Sequence, residues 1–534
     1  MHLTRIKIEN HRRLADAVIE VRGHLILVGA NDVGKSSLLR CLDLALGSST
    51  AQLYAQVTPD DFRDKEQPLI IEVRIAGFSP DDQALYPDEI AVDATTGDTS
   101  MTVVVTATID ASETIAIDRR AAGAGTARQL SREQVLGFGW KFLSATAQTR
   151  DLREDRKSAL DEILQSVDLG AERQSFEEIA TSLATKLGES QVLGDLREGL
   201  AGQLSKALPE VIEKDDLSFV PGAAADDDVL SDVRLQVSKA GVPRDLSQQS
   251  DGTRAMYAIA LYDLMSVGAN MVAIDEPEVH LHPTSQRSLA RLLKDNPNQK
   301  VIATHSADIV GAFDPDSIVV VRAGGLLVQP AAGFLSNDEK LFVRWWVRDR
   351  LEPLTSRRVA AVEGPSDRIV VERAADLTDR NLDRLGVSLV ETGGVGSMGA
   401  IETLFGSTGF GVPLSQLIDE DAEQKTAKRL GVDLADLPAN SVWVSRADLE
   451  DEYVAAIGET DLWSEIETST IFTDGERHNC GTSGQGGTPT ASELATFCRM
   501  YKVKAALVVA GMLTDTTARR IASIDQLLVE VAQP

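Results

Sequence analysis

Lys35 and Ser36 stand near the end of Gly29-Ala-Asn-Asp-Val-Gly-Lys-Ser-Ser37, a run that fits the G-x-x-x-x-G-K-[ST] pattern of a phosphate-binding loop. Gly29 and Gly34 allow backbone conformations that a Cβ resists. The loop N–H groups, with Asn31, Gly34 and Ser37 among the contacts, and the N-terminus of a following helix can then cradle phosphate oxygens. Lys35 is expected to neutralise the β- and γ-phosphates of ATP, and the Ser36 hydroxyl to ligate Mg²⁺. A second run, Asn270-Met-Val-Ala-Ile-Asp-Glu-Pro-Glu-Val-His-Leu-His-Pro283, is an apolar strand ending in two carboxylates. Asp275 is placed to complete the Mg²⁺ shell and Glu276 to orient or deprotonate an attacking water. His305, at the end of Lys300-Val-Ile-Ala-Thr304, is a candidate contact to the γ-phosphate.

A different chemistry is written in the second half. Glu363, Asp367, Asp419, Asp421 and Glu450 each lie at or just beyond the end of a short apolar run. Strands that end in carboxylates and are separated by helices bring those carboxylates to one sheet edge. Asp419 and Asp421 are two apart, so a continuing strand would put them on one face. Several carboxylates do not share a site as bare anions; they require divalent cations.

These residues need elements to hold them. Leu25 to Val28 reads as a buried strand and Ser36 to Leu46 as a helix, so the glycine loop sits in a strand–loop–helix context. Tyr54 to Phe62 is polar and turn-rich and is expected to be a surface loop, with Gln56 in it. Leu69 to Ala76, Met101 to Ile109 and Glu113 to Asp118 are rich in β-branched residues and suggest an antiparallel sheet. Arg132 to Ala145, Arg150 to Val167, Ser175 to Leu187 and Leu193 to Leu208 carry helical apolar spacing. Residues 131–214 are therefore expected to be a helical insertion, one that either packs on its own domain or contacts a second copy. The β pattern returns at Val229 to Val237. The run Leu246-Ser-Gln-Gln-Ser-Asp-Gly-Thr-Arg-Ala-Met-Tyr257 then opens a helix, with Ser250 and Gly252 at its start.

Residues 340–358 are basic and aromatic, and Trp345 and Trp346 there suit interdomain packing better than base stacking. Beyond them, Arg358 to Val362, Val387 to Glu391, Leu414 to Asp421 and Ser441 to Ser445 read as strands. Asp474 to Pro489 is expected to be a loop. It contains His478 and Cys480, and two ligands do not make a zinc site.

The chain has 534 residues, too many for one ordinary core. Hydrophobic residues make up 43% and charged residues 25%, as in globular proteins. No apolar run approaches the ~20 residues that span a bilayer, and the N-terminus lacks the apolar segment of a signal peptide. Three cysteines without a pairing pattern point to a reducing, cytoplasmic setting. The net charge of −29 argues against nucleic acid as a partner if taken alone. A groove needs only a local basic patch, however, and carboxylates that hold metal are neutralised.

In its first 330 residues the chain resembles the ABC-type ATPases of the SMC and RecF group. Gly29–Ser37, Ser247–Arg254, Asp275–Pro283 and His305-Ser306 stand where that group has its Walker A, signature, Walker B and switch-histidine motifs. The resemblance implies two heads sandwiching ATP, with Ser250 and Gly252 serving the opposite subunit of a homodimer. Ser-Gln-Gln-Ser-Asp-Gly departs from the common Leu-Ser-Gly-Gly-Gln form. The second half resembles a Toprim domain, in Glu363-Gly-Pro-Ser-Asp367, the turn at Gly393-Gly394, Asp419-Glu-Asp421 and Glu450. The order of the two is similar to the OLD (overcoming lysogenization defect) family of nucleases, which includes the Gabija defence nuclease.

That resemblance implies an α/β architecture in four parts. ATPase segments at 1–130 and 215–340 flank the insertion at 131–214, and a linker helix with a Rossmann-like Toprim domain occupies 341–534. It further implies a two-metal nuclease. One Mg²⁺ or Mn²⁺ would sit with Glu363, Asp419 and Asp421, and a second near Asp367 and Glu450, one activating water and the other stabilising the leaving oxygen. A late lysine would lie by the scissile phosphate: Lys502, with Lys504 its rival. The implied function is an ATP-binding and -hydrolysing, divalent-metal-dependent DNA endonuclease in anti-phage defence or DNA processing. A ribonuclease, or an ATP-gated scaffold with a partner-binding Toprim half, are the alternatives, and no membrane is involved.

Overall fold

The computed structural model describes residues 1–110, 114–122, 128–143, 182, 185–208, 211–220, 234–239, 242–245, 250, 252–253, 256–257, 269–340, 343, 351–393, 398–481 and 487–533. They form two compact units, one from Met1 to Gln329 and one from Pro330 onward. The helices expected at Arg150 to Val167 and across most of Ser175 to Leu187, along with Trp345, Trp346 and Gly394, lie outside the described residues.

The first unit holds three sheets among the described residues, two large ones and a small antiparallel one of Leu217–Val220, Arg234–Lys239 and Val242–Asp245. One large sheet has seven strands and is antiparallel, with Leu69–Ala76 paired to both His2–Glu9 and Thr99–Ile109, and Ile115–Ala122 beyond. The other has six strands, in the order Leu326–Val328, Ile318–Arg322, Leu25–Val28, Gln299–Thr304, Met271–Asp275 and Trp140–Leu143. All but the first run parallel. Leu25–Val28, Met271–Asp275 and Gln299–Thr304 are buried at every position, as central parallel strands covered on both faces must be. The helix Lys35–Leu46 buries Leu38, Leu39, Leu42, Ala45 and Leu46 into the core that fills the space between the two large sheets.

Two expectations for this unit are corrected. The helix expected over Arg132 to Ala145 ends at Gly137. Gly139 turns the chain at φ 61°, and Trp140–Leu143 pairs with Met271–Asp275 as an edge strand of the parallel sheet. Helical apolar spacing in a short window could not be told from a buried strand. Tyr54 to Gln56, expected at the start of a loop, end a helix over Thr50–Gln56: Ser49 and Gln52 cap it reciprocally, and the 3₁₀ turn Pro59–Asp61 comes after it. Gln191–Ala207 is helical as expected.

The second unit centres on a four-stranded parallel sheet, ordered Val387–Glu391, Arg358–Val362, Leu414–Asp419, Val442–Ser445. The helices Pro365–Leu377, Leu449–Ile457, Ala491–Met500, Lys502–Met512 and Ala522–Val531 supply most of its core. Strand Leu414–Asp419 stops at Asp419 and Glu420–Ala422 is a 3₁₀ turn, so the expected alternation does not reach Asp421. Asp474–Arg477, expected in a loop, is a short helix capped by Thr473, and Cys480 behind it is buried in the core. Among the described residues no helix is long and apolar enough to cross a membrane.

Candidate active sites

The glycine loop joins strand Leu25–Val28 to helix Lys35–Leu46 through Gly34, whose φ of 117° leaves the helix N-terminus open toward the loop. Asn31 and Ser36 are exposed on the loop and Ser37 is half-buried. Lys35 is only 4% exposed. Its Nζ donates to the carbonyls of Gly29 and Ala30, at 3.0 and 2.9 Å, and lies 2.7 Å from His305 Nε2. Burial lowers the Lys35 pKa, against the pull of Glu276, Asp275 and Glu278. Burial and Lys35 also lower that of His305, so its ring is neutral and Nε2 can accept from the ammonium.

Parallel pairing sets Asp275 and His305 at the same sheet edge, because Asp275 is in register with Ala303. Burial raises the Asp275 pKa, and a hydrogen bond from Ser36 opposes it. Glu276 takes a left-handed φ of 48°, an uncommon choice for a residue with a Cβ. Its N–H donates to Ala303 O at 2.8 Å and its Oε1 is 3.5 Å from His305 Nε2. The loop thus gathers Lys35, Ser36, Asp275, Glu276 and His305 as the sequence predicts.

Glu278 belongs with them, although the sequence reading does not single it out. It accepts from the His305 backbone N–H, and burial raises its pKa. A third acid in Asp275-Glu-Pro-Glu278 is the available signal. Ser250 Oγ accepts from Thr253 N at 3.3 Å, opening the helical turn as expected. Gly252 packs so closely on His280 of its own chain that a Cβ would lie 2.5 Å from the His280 carbonyl oxygen.

The second unit gathers its acids by strand ends and helix starts together. Glu363 comes directly after strand Arg358–Val362, and Pro365 begins a helix whose third residue, Asp367, accepts from Gly364 N at 3.0 Å. Ser366 Oγ donates to the other Asp367 oxygen at 3.1 Å. Asp419 closes its own strand. Glu450 lies in the first turn of Leu449–Ile457, whose cap Asp448 accepts from Asp451 N at 3.0 Å. Arg499 pairs with both Asp448 and Asp451 and so ties that helix to Ala491–Met500. Glu450 is 2% exposed.

Burial and then the neighbouring acids raise the pKa of Glu363, and they push that of Asp419 up to about 7. Asp419 feels Glu363, Asp367 and Glu450; Glu363 feels Asp367 and Asp421. All five acids therefore share one electrostatic neighbourhood, although Asp421 reaches it from an exposed turn. Lys502 Nζ lies 3.8 Å from Glu450 Oε1. Burial opposes its charge, but Glu450, Asp419, Asp367 and Glu363 outweigh that and raise its pKa. Lys504 is committed elsewhere, to Glu476 at 2.6 Å and over the Phe472 ring.

An all-oxygen donor set of acids that resist ionising together suits hard divalent cations. Among the described residues no three acid, His or Cys side chains lie close enough together to form a metal shell.

Two family models match these two halves. The AAA domain described as "putative AbiEii toxin, Type IV TA system" matches residues 25–311, over half of the chain. The Toprim domain of "overcoming lysogenization defect protein-like" proteins matches residues 354–421. Over its first half the chain belongs to that AAA family of ATPases, and its second half carries the Toprim domain of OLD-like proteins.

The OLD nuclease of Thermus scotoductus is 24% identical over 448 residues, covering 78% of this chain and 82% of that one. The endonuclease GajA of Bacillus cereus is 25% identical over 174 residues, covering 31% of this chain and only 30% of that one. Among solved structures, the C-terminal region of the Burkholderia pseudomallei OLD protein matches at 23% identity and a TM-score of 0.28, over 33% of this chain and 96% of that one. An SMC head bound to the C-winged helix domain of ScpA matches at 16% identity and a TM-score of 0.39, over 61% and 96%.

Proposed function

We propose that this protein binds and hydrolyses ATP and cuts DNA with divalent cations, nicking or cleaving it endonucleolytically in anti-phage defence or DNA processing. The observation that carries this reading is the gathering of Glu363, Asp367, Asp419 and Glu450, with Lys502 beside them, at one edge of a parallel sheet. Glu363, Asp419 and Asp421 would hold one Mg²⁺ or Mn²⁺, and Asp367 and Glu450 a second. The cations would supply a polarised water and charge stabilisation for the leaving oxygen. Lys502 neutralises the scissile phosphate.

In the first unit, Asn31, Gly34, Lys35 and Ser37 hold ATP phosphates. Ser36 and Asp275 would hold Mg²⁺, Glu276 orients the attacking water, and His305 contacts the γ-phosphate. Ser250 and Gly252 complete that site from a second copy. Residues 131–214 carry the homodimer contact. Light scattering on a deletion of that segment tests this, and a folded mutant that remains dimeric would move the contact elsewhere.

The test of the function as a whole is nicking of supercoiled plasmid by the wild-type protein and Asp419→Ala in parallel, with Mg²⁺ or Mn²⁺, after chelation, and with RNA as a second substrate. Cutting of DNA by the wild type alone, abolished by chelation, is expected. Equal cutting by both proteins would remove the nuclease assignment, and cutting of RNA alone would change its substrate.

A further inference from the structure

Strand Val387–Glu391 brings Thr392 to the sheet edge that carries Glu363. Thr392 N donates to Val362 O at 2.9 Å and Gly393 N donates to Glu363 O at 3.2 Å. The main chain on both sides of the Thr392 side chain is thus tied to the end of the neighbouring strand. The side chain lines a small cleft with Glu363, walled by Met398 and Ile418 and partly open to solvent. Two other polar residues line it, and both are engaged: Arg429 pairs with Glu402 and donates to Thr426 Oγ1 at 3.3 Å. Thr392 is different. It is 4% exposed, and its Oγ1 has no hydrogen-bond partner in the protein.

A buried hydroxyl left unpaired costs folding free energy, and natural structures satisfy nearly all such groups. Valine would fill the same volume without that cost. A threonine here is accounted for if its hydroxyl has a ligand, and the cleft, small and mostly apolar, has room for about one water. Glu363, on the same cleft, supplies the acceptor.

We propose that Thr392 is a positioning residue of the nuclease centre: its hydroxyl holds a water in the cleft, and that water donates to the Glu363 carboxylate and fixes its orientation. The proposal rests on the nuclease reading under Proposed function. A carboxylate held this way meets a cation without first being ordered, and losing such an outer partner typically lowers metal affinity or activity by about 10–100-fold.

The experiment compares the full-length wild type with Thr392→Val, Thr392→Ser and Asp419→Ala. Three quantities are read: plasmid nicking against Mn²⁺ concentration, Mn²⁺ affinity by calorimetry, and melting temperature without metal. Thr392→Val is expected to nick about 10–100-fold more slowly, or to need that much more Mn²⁺. It should melt close to wild type, since the hydroxyl bonds no group of the protein directly, and Thr392→Ser should restore both nicking and Mn²⁺ affinity. Wild-type nicking and Mn²⁺ affinity in Thr392→Val would overturn the proposal. So would a Thr392→Val that melts well below wild type, because the hydroxyl would then be structural. If Asp419→Ala nicks like wild type, the nuclease reading fails and this one with it; if only Asp419→Ala is dead, the nuclease reading stands and Thr392 has no part in it.

Discussion

Both sheet edges gather acids around one lysine, and they differ in how that lysine is held. In the ATPase half the lysine is buried along with Asp275: Lys35 is 4% exposed, burial lowers its pKa, and it takes two backbone carbonyls and His305 as partners. In the Toprim half Glu450 is buried, Glu363 and Asp419 are half-buried and the pKa values of all three are raised, while the Lys502 side chain is 45% exposed. A desolvated ammonium is poised for an anion, and desolvated carboxylates for cations. The same topological device, the carboxyl ends of parallel strands, thus carries the candidate phosphate site in one unit and the candidate metal site in the other.

The largest effect should come from breaking the metal side. Asp419→Ala or Glu363→Ala should lower plasmid nicking by at least about 10³-fold while leaving ATP hydrolysis intact. Residual nicking that Mn²⁺ restores to wild-type rate would show that these acids are not the donors. The mirror experiment addresses the anion side. Lys35→Ala should weaken nucleotide binding by roughly 10²-fold or more, because the buried carbonyls cannot replace the ammonium at the phosphates. Glu276→Gln should keep binding and lose about 10²–10⁴-fold in hydrolysis. Calorimetry with a non-hydrolysable ATP analogue separates the two variants, and wild-type hydrolysis by Glu276→Gln would reassign the base.

A smaller effect distinguishes the two late lysines. Lys502→Ala should reduce nicking by about 10²-fold, as loss of a charge-stabilising group does. Lys504→Ala should leave nicking near wild type and cost only some stability through Glu476. Equal losses from both would mean that the Glu450 contact does not mark the phosphate position.

The smallest effect is on stability. The Asp419 carboxyl holds its proton to about pH 7 in the folded, metal-free protein, against 3.8 in an ordinary environment. The folded state therefore binds this proton more tightly than the unfolded chain. Its stabilising contribution is complete below about pH 4, declines as pH rises, and is gone above about pH 7. Glu363 and Glu450 shift in the same direction. Melting temperature in a chelator should fall from pH 5 to pH 8, Asp419→Asn should flatten that fall, and Mg²⁺ should reverse it at pH 8. A melting temperature independent of pH would mean that the acids are farther apart than the shared shifts imply.

Several features are legible in the residues because local rules decide them. The apolar strands 25–28, 271–275 and 358–362 and the glycine loop arise from side-chain volume and period. The acids can be nominated for the same reason, as chemistry at the ends of such runs. Trp140–Leu143 cannot be read, because a four-residue apolar stretch has no period of its own and its conformation is set by Met271–Asp275 beside it. Asp421 falls outside the expected strand because that strand stops where its ladder with Val442–Ser445 stops.

What the sequence alone determined was therefore the inventory: two groups of chemical residues, each on the elements that present them. Only the tertiary structure decided the partnerships. Lys502 rather than Lys504 meets the acids, Glu278 holds His305 by its backbone, and Thr392 is left unpaired in the Glu363 cleft. The physical reason is range. Helix, strand and cap are chosen by interactions a few residues long, whereas a lysine's counter-ion or a hydroxyl's isolation depends on chain segments tens to more than a hundred residues away, which only packing brings together.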